Sequence, residues 1–236
     1  MGKVANHLKS FWESCLLEHR HLNNTQRRGL VRWLLGESVD KLEDLTTEEL
    51  ASATRGIINR YRILQKHYLG VAPKEAYRHL FNRLGAVLSK YPLLRSWITA
   101  SPEHQKTVVK TLQALIEQLL KVDPFLQTQQ KQIALCTQDS SLRNALLLTT
   151  LEEYCLHFIN DYPLLFHLLY HFLRHQSELQ ITSQQQKFLQ LLSREIQQVP
   201  FNAQTMANFR SPLGQPIRQF AFEEAVKSYL ETQLVS

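Results

Sequence analysis

The chain has 236 residues, 44% hydrophobic and 20% charged, which is enough chain to bury a core without disulfide or metal staples and too mixed for a disordered or membrane-embedded class. Seven glycines, with no G-x-G-x-x-G or P-loop run, exclude the glycine-rich nucleotide loops. A net charge of +6 points toward acidic partners. Cys15, Cys136 and Cys155 form an odd, widely spaced set without C-x-x-C, so neither a disulfide framework nor a thiolate zinc site is expected, and a reducing, cytoplasmic setting is the simplest reading. No secretory leader is expected in Met1–Leu22, and no apolar run reaches the length of a membrane span.

Leucine dominates the apolar residues, glutamine is abundant and period-two alternation is absent, so every element is expected to be helical. The first helix is expected over about 4–22, with Leu8, Phe11, Trp12, Cys15, Leu16 and His19 on one face, and a short one over about 26–35, stopping near Gly36. Thr46-Thr47-Glu48-Glu49 reads as a capping box opening a long helix to about Tyr68. Gly70 ends it, and Pro73 stands in the first turn of the next, which carries Tyr77, Leu80, Phe81, Leu84 and Leu88 at helical spacing. Ser101-Pro102-Glu103 opens a helix with a face of Val108, Leu112, Leu115, Ile116, Leu119 and Leu120. Pro124 breaks it, and Phe125 begins a shorter one. A very apolar helix opens at Ser140 or Ser141, another at Pro163, and a third is capped by Ser183. The first two, around Leu146 and Leu168, are apolar on most sides and are expected at the centre of the core. Residues 200–219 hold three prolines and a glycine and read as an irregular arm, followed by a terminal helix over about 220–234. The expected fold is therefore all-α: one Leu-rich helical domain over 1–236, with a subdivision into 1–98 and 99–236 as the alternative.

Charge is the sharpest functional signal. Residues 55–95 hold nine basic side chains against Glu75 alone. A concentrated positive field draws in polyanions and speeds their encounter. Arg55, Arg60, Arg62, Lys66, Lys74, Arg78, Asn82 and Arg83 are the candidate contacts to nucleic acid or to an acidic protein. A helix, a short turn and a second helix is also the outline of a DNA-binding helix-turn-helix. Lys74, Arg78 and Asn82 fall at i, i+4, i+8; arginine and asparagine can make bidentate contacts to base edges, while lysine neutralises phosphate. The plainer reading is a solvated basic face on an ordinary helical hairpin.

Other constellations carry less. His167, His171 and His175 recur at i, i+4, i+8, but H-E-x-x-H is absent and no acid is fixed beside them, so no metal is expected. Glu152 and Glu153 diverge by about 100° on a helix and do not form an acid–base pair; one is expected to lie against an arginine such as Arg143 or Arg174. Cys155 has no base placed beside it and reads as a buried thiol. No nucleophile-elbow or kinase signature is present, so no catalytic residue and no cofactor is expected. In the arm, Phe201, Met206, Phe209 and Leu213 are apolar residues on an irregular segment, suited to a belt on the chain's own core or to docking a partner.

The run Leu142-Arg143-Asn144-Ala145-Leu146-Leu147-Leu148-Thr149-Thr150-Leu151-Glu152-Glu153-Tyr154-Cys155-Leu156, followed by Asp161-Tyr162-Pro163-Leu164-Leu165, resembles a segment of cyanobacterial heterocyst-differentiation regulators of the HetZ and PatU type, over about residues 120–175. The resemblance implies a cytoplasmic, non-enzymatic regulator of cell differentiation and gene expression, working through other regulatory proteins, with DNA binding in some members. It fixes no functional residue by position. The expectation is a regulatory protein acting by protein–protein contact, with direct DNA binding through residues 55–95 as the first alternative and a metal- or thiol-dependent enzyme as the second.

Overall fold

In the computed structural model, residues 2–36, 39–159, 162–177 and 181–196 are described. The arm with Phe201, Met206, Phe209 and Leu213 and the terminal helix lie outside the described residues. The fold is all-α. Among the described residues are ten α-helices: α1 (Lys3–Leu16), α2 (Asn24–Leu35), α3 (Thr47–His67), α4 (Pro73–Leu88), α5 (Pro92–Ala100), α6 (Pro102–Val122), α7 (Pro124–Cys136), α8 (Ser140–Leu156), α9 (Leu164–Ser177) and α10 (Ser183–Ile196). A 3-10 helix covers Val39–Asp44, and β1 (Phe158–Ile159) pairs antiparallel with β2 (Tyr162–Pro163).

Most boundaries have a local chemical cause. Thr46 accepts from the Glu49 amide and Glu49 reaches back to the Thr46 amide at 3.0 Å, the reciprocal box expected from sequence. Asn23 and Gln26 make a second box at α2, starting that helix before Gln26. Ser101 caps α6, Asp123 caps α7 by accepting from the Leu126 amide at 2.9 Å, and Asp139 does the same for Leu142 at α8. At α10 the capping hydroxyl belongs to Thr182, which exchanges hydrogen bonds with Gln185, and not to Ser183. Helix α1 stops at Leu16 rather than Leu22, because the amides of Leu17, His19 and Leu22 turn to carbonyls three residues back. The expected run after Tyr77 ends at Leu88, and Pro92 at the first helical position opens the separate α5.

The packing divides the chain into two compact units. Among the described residues, the first holds those up to Ala76 together with 128–150, and the second holds 77–127 and those from Leu151 on.

In the first unit α1 packs on α2 and on the 3-10 helix, and α2 packs on α3. Glu43 ties the 3-10 helix to α1 by accepting from the Ala5 amide at 3.0 Å. Helix α2 buries Leu30, Val31, Trp33, Leu34 and Leu35. Gly29 on the same helix lets the backbone of α7 come close: a methyl group there would overlap the Cys136 carbonyl. The chain leaves α3 through Tyr68 and turns at Gly70, whose φ of +75° lies in the left-handed region that glycine tolerates.

In the second unit α5, α6, α9 and α10 pack together. Trp97 stacks between His104 and Phe188, with centroids 4.3 and 5.5 Å away. Glu195 of α10 accepts from the Leu93 amide at the start of α5. Tyr91, Tyr162 and Phe166 form an aromatic cluster beside the β1–β2 pair. Every residue from Leu164 to Leu169 is buried, which is why α9 reads as apolar on most sides.

Candidate polyanion-binding surface

The basic residues of α3 split by helical phase. The buried face of this helix is Ala53, Ile57, Arg60 and Leu64. Arg60 follows Ile57 by three residues and precedes Leu64 by four, so it points inward with them. It is 5% exposed, and its guanidinium lies 5.3 Å from the centroid of the buried Trp33 ring on α2. A desolvated cation over an indole face is attracted by about 2 kcal/mol. Arg60 therefore belongs to the packing of α3 on α2 and leaves the set of accessible contacts.

Arg55, Arg62 and Lys66 are exposed and share the opposite face with Asn59. The four recur at i, i+4, i+7 and i+11, a stripe about 16 Å long and within about 40° of one direction. Asn59 carries no charge to mark it; its spacing from Arg55 and Arg62 is the signal that places it there. No acidic residue stands three or four positions from Arg55 or Arg62 along the helix. Arg62 and Lys66 instead make a like-charge i, i+4 pair, which costs a helix about 0.2–0.5 kcal/mol.

On α4, Lys74, Arg78 and Asn82 are exposed at the expected i, i+4, i+8 spacing, while Ala76, Leu80, Phe81, Leu84 and Leu88 are buried. Arg83 is different. Its Nε and Nη2 donate to Oε1 of Glu152 at 2.7 and 2.6 Å, and Glu152 is wholly buried. The buried acid of α8 is thus held by Arg83 and not by Arg143 or Arg174. A buried carboxyl group is costly unless it is paired and hydrogen-bonded, and Arg83 supplies both contacts. Of the eight predicted contacts, six are exposed and two serve the interior.

Asp123 is another buried acid. Asp123 accepts from the Tyr154 hydroxyl at 2.9 Å, with Phe125 stacked on Tyr154 at 5.2 Å. Burial pushes the Asp123 carboxyl up despite these hydrogen bonds, and pushes the fully buried Cys155 thiol up, with the Asp123 and Glu152 charges adding to it. Thiolate formation at Cys155 is thereby opposed. On α9, His167 is 5% exposed, and burial lowers it to about 4 with a smaller contribution from His171. Among the described residues no group of three histidine, cysteine or acidic side chains is arranged to hold a metal ion. No described helix is long and apolar enough to cross a membrane.

No family model, no curated protein and no solved structure matches this chain.

Proposed function

We propose that the protein is a non-enzymatic regulatory protein that acts by contact with an acidic partner protein, and that the outward stripe of α3 is its contact surface. The observation that carries this reading is the self-repelling pair Arg62 and Lys66, exposed on one face with Arg55 and lacking an acidic neighbour one helical turn away. A helix that keeps such a pair gives up a little stability, and the gain lies in encounter with a negative surface. The interior location of Cys155 favours a thiol that packs over one that reacts. The resemblance of residues 120–175 to heterocyst-differentiation regulators fits a cytoplasmic role in transcriptional or developmental control.

A second reading is direct DNA binding, favoured by the exposed Lys74, Arg78 and Asn82 on α4, since arginine and asparagine can read base edges. Fluorescence anisotropy with a random-sequence DNA duplex over a salt series separates the two readings. Affinity that falls steeply with salt and weakens in Lys74→Ala and Arg78→Ala supports DNA. No duplex binding at low salt, with retention of an acidic protein that Arg62→Glu/Lys66→Glu releases, supports the protein partner.

A further inference from the structure

The outward face of α3 is bipolar. Glu48 is exposed in the first turn and lies seven residues before Arg55, which lies seven before Arg62, so the three share one side of the helix. Glu48 in the first turn complements the helix dipole and needs no partner to explain it; Lys66 in the last turn complements it too, but at the cost of facing Arg62. Arg55 and Arg62 are interior to the helix and answer neither to the dipole nor to the core. Between Glu48 and Arg55 the exposed residues are Ala51 and Ser52, with no long side chain to hold a second backbone away.

We infer that α3 receives an acidic α-helix of the partner protein, laid along its outer face, with carboxylates at i, i+4, i+7 and i+11. The inference rests on the reading of α3 as the contact surface. Helix spacing on the partner reproduces the spacing of Arg55, Asn59, Arg62 and Lys66 without distortion. A nucleic-acid strand fits less well. Its phosphates continue at uniform charge, and the strand that pairs with Arg62 and Arg55 runs on toward Glu48, where it is repelled. A helical partner can end there or carry a lysine, so the position of Glu48 also sets the direction in which the helix lies.

The test uses the full chain and three labelled probes in anisotropy titrations: an alanine-rich helical peptide with glutamates at i, i+4, i+7 and i+11, a peptide of the same composition with the glutamates scattered around the helix, and a random DNA duplex. The expected result is binding of the striped peptide about tenfold tighter than the scattered one, in keeping with several exposed ion pairs acting together. Arg62→Glu/Lys66→Glu loses that peptide and gains one carrying lysines at the same spacing, with helicity by circular dichroism unchanged in the variant. Equal affinity for striped and scattered peptides, both lost in the variant, overturns the helical partner while leaving α3 as a basic contact surface. Preference for the duplex overturns it in favour of nucleic acid. Binding of every probe unchanged in the variant removes α3 from the contact altogether and fails the proposed function with it.

Discussion

Arg62 on the outer face of α3 and Arg83 beside Glu152 are the same residue type in two different electrostatic settings. Arg62 stands in water with a lysine one turn away, and its charge is available to anything that approaches. Arg83 meets a fully buried carboxyl group, and its guanidinium is engaged by Glu152 inside the second unit. The net charge of residues 55–95 counts both equally. The difference teaches that a basic segment is a binding surface only where helical phase turns its cations away from the core.

The comparison can be broken first at Arg83. Arg83→Ala leaves the Glu152 carboxylate buried without its guanidinium, and is expected to cost about 3–4 kcal/mol by urea unfolding. Replacing both partners with methionine is expected to recover most of that loss, because no charge is then stranded. A loss below about 1 kcal/mol for Arg83→Ala would mean that Glu152 is neutral or finds other donors.

His167 probes the same unit by pH. Its folded-state value, about 4, lies below the unfolded value near 6.5, so the neutral ring is favoured on folding. Its contribution is fully present above pH 6.5 and is lost as the pH falls through that value toward 4, reaching about 3 kcal/mol at the low end. His167→Leu is expected to flatten that part of the stability–pH curve; a curve parallel to that of the parent protein would place the titration elsewhere.

Smaller effects sharpen the contrast within the first unit. Gly29→Ala drives a methyl group into the Cys136 carbonyl and is expected to cost about 2 kcal/mol. Arg60→Ala removes the cation and the alkyl stem from the Trp33 face, for about 2 kcal/mol, with no effect on affinity for an acidic peptide. Arg55→Ala and Arg62→Ala are expected to leave stability within about 0.5 kcal/mol.

The fold was legible wherever a boundary has a local cause. Thr46 with Glu49, Ser101 before Pro102 and the proline at 124 mark real ends, because capping and the missing proline amide act within a few residues. The stop at Leu16 carries no glycine or proline to announce it, and Pro92 signals a helix start that the apolar spacing of its neighbours masks. On α3 the inward phase of Arg60 is present in its spacing from Ile57 and Leu64, while the density of charge over residues 55–95 carries no phase. The partner of Glu152 could not be read, since Arg83 is 69 residues away and only the packed structure brings them together.

Arg60 and Arg62 stand two residues apart on one helix and face opposite ways, so they give the most direct measurement. Arg60→Gln and Arg62→Gln should be compared side by side for urea stability and for affinity toward the glutamate-striped peptide. The expected result is a crossed pattern: Arg60→Gln loses stability and keeps the peptide, while Arg62→Gln keeps stability and loses affinity several-fold. Affinity unchanged in Arg62→Gln, or falling in both variants in step with stability, would contradict the assignment of the outer face of α3 as the contact surface.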